Sequence, residues 1–144
     1  MNNDSDFRGW LATAHVHLSR AELNAQHKDN PISYPAIVHY AQLALECAAK
    51  VIISYYHEPR WTHDPSEELL TVIRTQGKKL EKRLSKTTMR ELRQLALDAR
   101  TYAKWHIWAT YGSHEVGGAY HSPDELCTLD VVADLMPLAT HPIP

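Results

Sequence analysis

The residues that most clearly suggest a chemistry are eight cations within positions 74–93, a run interrupted by only two acids. The formal net charge of the chain is −2, so any binding of phosphates must be local. Cations near a helix N-terminus suit phosphate groups. The residues predicted to contact a nucleic acid or a phosphate are Lys78, Lys79, Lys82, Arg83 and Lys86. The same run would also serve as an ordinary solvated helix face.

Ten histidines raise the question of a metal site, but their spacing does not favour one. His15 and His17 lie two residues apart, on opposed faces of a predicted helix, and the helical pair His-x-x-x-His does not occur. His114, Glu115 and His121 share a glycine-rich loop and could chelate, although solvation of the loop explains them more readily. We therefore predict neither a metal nor a cofactor.

Aromatic residues suggest either a stacking surface or an interface. Trp105 and Trp108, with Tyr102, Tyr111 and Tyr120, could stack nucleobases as in single-strand binders. Packing in the core or at an interface is the more common use. Four Trp and seven Tyr, with apolar residues on several predicted helix faces, leave more apolar surface than one bundle can bury. A symmetric homodimer is therefore expected.

Length and composition predict one globular domain that covers residues 1–144. Apolar residues make up 44% and charged residues 22%, which excludes disordered and fibrous classes. No unbroken apolar run approaches the roughly 18 to 20 residues that span a bilayer. The start, MNNDSDFRGW, is acidic where a secretory signal is basic, so a cytoplasmic protein is predicted. Cys47 and Cys127 are isolated and are expected as reduced core residues.

Helices must position these groups, because hydrophobic periodicity divides the chain into about five helical segments and no alternating strand pattern is convincing. The first helix is predicted to begin near residue 5 with one apolar stripe. The second should run from residue 35 to about residue 56, with Pro35 in its first turn. Apolar residues surround it except along a polar line, so it should be the central helix. That line consists of His39, Gln42, Glu46 and Lys50.

Three capping patterns predict the later helices. Residues 64–67 should open a third helix that Gly77 weakens or ends, and residues 88–91 should open a long fourth helix that includes His106. Residues 122–125 should open the last helix, which runs toward Pro137 before a frayed tail at about residues 138–144. The predicted fold class is all-α, an up-and-down bundle of four or five helices.

The polar line and the loop after it resemble a motif of the HEPN family. In that family Gln, Glu and Lys follow one another at intervals of four and precede a Pro-containing loop and a Thr-His pair. The corresponding residues here are Gln42, Glu46, Lys50, Pro59, Thr62 and His63. A Trp-bearing first helix, an Ala-Arg-x-Tyr helix, a Tyr-Gly turn and an acidic cap on the last helix continue the resemblance over nearly the whole chain. It implies a helical bundle that is commonly a homodimer.

The same motif has an ordinary structural interpretation, which residue types alone favour. Glu46 and Lys50 would form an i, i+4 pair worth about 0.2–0.5 kcal/mol on a helix surface. Thr62 and His63 would shape the loop and cap the following helix. On this interpretation the motif stabilises the fold and contacts no ligand.

Many HEPN proteins are metal-independent ribonucleases with an Arg, four to six intervening residues and a His, and Arg100 and His106 match that spacing. The imidazole moves a proton from the ribose 2′-OH or to the leaving oxygen, while the Arg holds the phosphate. Thr101 and Trp108 depart from the family's usual Asn or Asp and Tyr. On one ideal helix Arg100 and His106 would point about 120° apart. His106 could instead be a satisfied core histidine.

The resemblance thus implies a protein that acts on RNA or nucleotides, as a metal-independent endoribonuclease toxin paired with a nucleotidyltransferase antitoxin. The alternative is a non-catalytic dimeric module that binds a nucleotide or a protein partner. Arg100 near His106 in a polar cleft favours the enzyme. Burial of His106 among aliphatic side chains favours the module.

Overall fold

The computed structural model describes residues 4–27 and 29–141, and within these ranges it contains seven α-helices and no β-strand. A 3₁₀ turn, Pro31–Ser33, precedes the second helix, and one isolated bridge joins Ser113 to His121. The all-α class is confirmed. The helices are α1 (Asp4–Ala25), α2 (Tyr34–Tyr56), α3 (Ser66–Arg83), α4 (Lys86–Tyr102), α5 (Trp105–Tyr111), α6 (Pro123–Leu126) and α7 (Leu129–Thr140).

Helix α2 is the central element, as predicted. It packs against α1, α3, α4, α5 and α7, and fourteen of its 23 residues are buried. Buried alanines on α2, such as Ala41 and Ala48, belong to the same core cluster as Ala14 on α1. Small side chains allow helix axes to approach closely, which explains why the two helices pack along their length.

The apolarity of α2 follows from this central position. Residues Pro31–Tyr56 reach a mean hydropathy of 1.4 over an 18-residue window, enough by length and composition to cross a membrane. In the bundle, 72% of that window is buried by the other helices. Its apolar faces are therefore used for packing in the core.

Helices α3 and α4 form a hairpin whose ends differ from the sequence prediction. Gly77 does not end α3, which continues to Arg83. Leu80 and Leu84 pack against the core and hold this last part of the hairpin in place. The cap of α4 is Ser85 rather than residue 88, because the extended Ser85 accepts a hydrogen bond from the Thr88 N–H at 3.1 Å.

The predicted long fourth helix is two helices, because the chain turns at residues 103–104. Nδ1 of His106 donates a hydrogen bond to the Ala103 carbonyl. In a continuous helix that carbonyl would accept from the Ile107 N–H, which bonds to the Lys104 carbonyl instead, at 3.0 Å. The side chain of His106 thus replaces a backbone donor where α4 ends and α5 begins.

The predicted last helix is also divided. Ser122 caps the single turn of α6, and Thr128 caps α7 through the Val131 N–H. Contrary to the predicted fraying, residues 138–140 are helical and α7 continues past Pro137, because Ala139 is buried in the core on the same helix as Leu135. Residues 142–144 of the predicted tail lie outside the described residues.

The two cysteines lie in the core, as predicted. Cys47 and Cys127 are buried free thiols. Burial raises the pKa of each to about 12, so both stay protonated and unreactive near neutral pH.

Candidate active site

The sequence motif meets the predicted catalytic histidine through His63, which also bonds to a buried carboxylate. Nδ1 of His63 donates to Oε1 of Glu46 at 2.7 Å. The His63 ring stacks on the His106 ring, with centroids 3.7 Å apart and planes inclined by 25°. We refer to these two rings as the imidazole pair. Sequence reasoning assigned His63 to the shape of the loop and did not place it beside His106, since the two residues lie far apart in the chain.

Glu46 and Lys50 form a buried ion pair, not the surface pair that their spacing suggested. Each residue is only 5% exposed, and Nζ of Lys50 donates to Oε2 of Glu46 at 3.2 Å. The Gln42 amide lies 3.4 Å from Oε1 of the same carboxylate, and the Lys50 ammonium lies 5.2 Å from the centre of the Trp10 ring. Around one charge pair, an amide, an imidazole and an indole provide much of the solvation that water would otherwise supply.

The hydrogen bonds of the imidazole pair set which nitrogen of each ring can exchange a proton. The Glu46 carboxylate accepts from Nδ1 of His63, and the Ala103 carbonyl accepts from Nδ1 of His106. The proton of each neutral ring is therefore on Nδ1, and among the described residues nothing bonds to Nε2, which can take a proton. The side chain of His63 is about half exposed and His106 is partly buried, so the pair lies at a polar surface rather than in an aliphatic core.

Arg100, near the end of α4, contacts the start of α3, close to His63. Its Nε donates to Oγ of Ser66 at 3.1 Å, and Ser66 begins α3 three residues after His63. No direct hydrogen bond joins Arg100 to His106 among the described residues. Arg100 bonds to Ser66 and His106 stacks on His63, so both contact the segment 63–66. Because Nε is the one guanidinium nitrogen engaged by the part of the chain that the structure describes, the terminal nitrogens can donate to a phosphate.

The predicted phosphate-binding lysines and arginines lie elsewhere, toward the tip of the α3–α4 hairpin. At about 1.5 Å of rise per residue, Lys78 is about 18 Å and Arg83 about 26 Å along α3 from Ser66. The five predicted side chains, Lys78, Lys79, Lys82, Arg83 and Lys86, are exposed. The structure does not bring them to the imidazole pair, and their contact with phosphates stays a prediction.

The other groups considered for chemistry have local partners. Glu115 pairs with Lys104 at 2.9 Å, and His121 pairs with Glu125 at 3.0 Å. Trp105 and Trp108 pack edge to face with ring centroids 5.0 Å apart. Across residues 4–27 and 29–141, no group of three or more His, Cys, Asp or Glu side chains is arranged to hold a metal ion.

Two further imidazoles lie near this site, His39 beside the imidazole pair and His17 beside the buried carboxylate. Burial lowers the pKa of His39. A hydrogen bond to the His106 backbone opposes this shift, and repulsion from His106 and His63 adds to it. Burial also lowers the pKa of His17, with the nearby Arg20 charge assisting and Glu46 opposing. Both rings are therefore held neutral near pH 7.

These lowered pKa values predict a loss of stability in mild acid. Between the lowered pKa values and 6.5, the unfolded chain binds more protons at His17 and His39 than the folded chain does, so stability rises with pH in this window. We expect the urea midpoint to fall between pH 7.5 and pH 5.5, and His39→Gln to reduce that fall. Midpoints that agree at the two pH values would contradict the prediction.

Comparison with known proteins gives one match. The family model described as HEPN domain matches residues 7–116, which run from the first turns of α1 to beyond α5 and include every residue of the site described above. No curated protein and no solved structure matches the chain.

Proposed function

Because the chain belongs to the HEPN domain family, we propose that it is a metal-independent endoribonuclease whose reacting groups are His63, His106 and Arg100. Membership in this family supports a function directed at RNA or nucleotides in general. The observation that carries the finer proposal is the imidazole pair, in which a carboxylate and a carbonyl hold the two Nδ1 atoms and leave both Nε2 atoms for proton transfer.

The proposed reaction is an internal transesterification of RNA. The ribose 2′-oxygen attacks the phosphorus, the bond from phosphorus to O5′ breaks, and the products are a 2′,3′-cyclic phosphate and a 5′-hydroxyl. One imidazole, unprotonated at Nε2, takes the 2′-OH proton, and the other, in its imidazolium form, gives its Nε2 proton to O5′. His63 and His106 supply the base and the acid within one chain.

Arg100 and Glu46 support this chemistry in different ways. The free guanidinium nitrogens of Arg100 stabilise the negative charge that develops on the phosphate oxygens in the transition state. The Glu46 carboxylate orients His63 through Nδ1 and stabilises the imidazolium that forms when His63 accepts a proton. Glu46 itself is a positioning residue.

The experiment is incubation of the purified protein with a labelled single-stranded RNA, with and without EDTA. The expected result is cleavage that EDTA does not affect, with products that end in 2′,3′-cyclic phosphate and 5′-hydroxyl groups. If the RNA stays intact both with and without EDTA, the ribonuclease proposal is wrong. Cleavage only with an added divalent metal would assign the chemistry to a different site.

We also propose that the protein is a symmetric homodimer. Ile107 and Tyr111 are exposed apolar residues one turn apart on α5, the helix that carries His106. A contiguous apolar face on so short a helix suits burial against a second copy. Light scattering should give twice the 16.4 kDa chain mass at micromolar concentration. A monomer at that concentration would contradict this.

Pairing with a nucleotidyltransferase antitoxin is a proposal supported by the family resemblance. Its test is whether a nucleotidyltransferase encoded beside this gene suppresses RNA cleavage when added to the purified protein. The competing function, a dimeric module that binds a nucleotide or a protein partner without turnover, is supported by the same exposed apolar residues. It replaces the ribonuclease if RNA binds and is not cleaved.

A further inference from the structure

A cleft lined by both charged and apolar residues adjoins the imidazole pair and extends beyond the groups of the proposed proton transfers. It lies between α1, α2 and the loop before α3, has a volume of about 440 Å³, and shares His63 with the imidazole pair. This volume falls in the range of small-molecule sites. We refer to it as the Trp61 cleft, because the side chain of Trp61 lies at its rim and is fully exposed to solvent.

The Trp61 cleft contains buried polar groups whose hydrogen bonding is incomplete. The Lys50 ammonium carries three N–H donors, and among the described residues its one hydrogen-bond partner is Glu46. His17 lines the same cleft, and its Nδ1 is buried without a partner in the described part of the chain. A buried N–H donor without an acceptor is costly, so the unpaired N–H groups of Lys50 favour a ligand that carries hydrogen-bond acceptors. Nδ1 of His17 adds a second buried atom that can donate or accept, depending on the tautomer.

The charges that line the Trp61 cleft argue against a phosphate in it. Three carboxylates, Asp6, Glu46 and Glu58, outnumber two cations, Lys50 and Arg60. An anionic group in the cleft would approach Glu46, whose carboxylate is already bonded to Lys50 and His63. A neutral, planar group with a carbonyl acceptor fits these charges, and a fully exposed indole gives such a group a face on which to stack.

We propose that the Trp61 cleft binds one nucleobase of the RNA, which stacks on Trp61 and presents an exocyclic carbonyl to the Lys50 ammonium. This deepens the proposed ribonuclease function, on which it rests for the class of its ligand. Uracil, guanine and cytosine carry such a carbonyl, and adenine does not. The cleft therefore selects the base next to the scissile phosphate and disfavours adenine.

The test uses the full chain with His106→Ala, so that RNA is bound and not consumed, and measures the affinity for labelled hexauridylate and hexaadenylate. Trp61→Ala in this background should weaken hexauridylate binding about 5- to 150-fold. Trp61→Phe should restore most of the affinity, because it keeps a stacking face. The matched control, Tyr55→Ala, removes another exposed aromatic that does not line the cleft and should change little.

The outcomes separate this proposal from the ribonuclease itself. Hexauridylate binding that depends on Trp61 and exceeds hexaadenylate binding supports the base site even if the wild-type protein cleaves nothing. If UMP binds as tightly as hexauridylate, the ligand of the cleft is a free nucleotide and not a base within RNA. Equal affinity of Trp61→Ala and its parent overturns the proposal and assigns Trp61 to a protein contact. In the protein that retains His106, Trp61→Ala should raise KM and leave kcat nearly unchanged. If RNA is cleaved and KM is unchanged, the base site is overturned and the ribonuclease proposal is not.

Discussion

Replacing His106 with alanine should lower the rate of single-stranded RNA cleavage by about 100- to 10,000-fold, the usual cost of losing a general acid or base. Arg100→Ala should lower it nearly as much, because the guanidinium that stabilises the phosphate is lost. The helical content measured by circular dichroism should be unchanged in both variants. Cleavage of labelled RNA at a temperature well below the melting transition measures the effect.

A change in stability must be separated from a change in catalysis. His106→Ala removes the ring that stacks on His63 and the donor to the Ala103 carbonyl, so it should also lower the free energy of unfolding by about 1–3 kcal/mol. His27→Ala, at an exposed histidine on the turn after α1, is the matched control and should retain full activity. If the wild type leaves RNA intact and His106→Ala only lowers the melting temperature, the ribonuclease is excluded and the binding module takes its place.

Replacing Lys50 with methionine should have the largest effect on stability. Lys50 and Glu46 are each 5% exposed, and the substitution keeps the volume of the side chain but leaves the Glu46 carboxylate buried without its cation. Breaking a buried pair in this way costs about 3–5 kcal/mol. For a domain with a urea m-value of about 1–3 kcal/mol per molar, the unfolding midpoint should fall by more than about 1 M.

The chain provides a matched control for this substitution. Lys104 and Glu115 approach to 2.9 Å, but their side chains are 65% and 59% exposed, so Lys104→Met should cost no more than about 1 kcal/mol. The double variant Glu46→Gln/Lys50→Met removes the orphaned charge and should recover part of the stability lost in Lys50→Met. Equal midpoints for Lys50→Met and Lys104→Met would show that water reaches Glu46 and that the pair is not buried in solution.

Much of the architecture is predictable because it depends on local rules. The apolar faces of α1 and α2 follow from helical periodicity, and the caps at Ser122 and the start of α3 follow from residue types that bond to free N–H groups. In contrast, local sequence rules do not predict where the predicted fourth and last helices are divided, because this depends on contacts made in the folded chain. The break before α5 depends on the His106 imidazole reaching the Ala103 carbonyl, and the extension of α7 past Pro137 depends on burial of Ala139.

The sequence by itself determined the all-helical class, the central place of α2, the HEPN resemblance and the identity of Arg100 and His106 as candidates. Only the tertiary structure decided what the motif on α2 does. The spacing of Glu46 and Lys50 is the same for an exposed pair and for a buried one, and the difference lies in α1 and the loop at 57–65 that cover them. Stacking of His63 on His106 depends likewise on where α5 turns relative to that loop, because contacts between distant segments are set by how the helices pack and not by residue order.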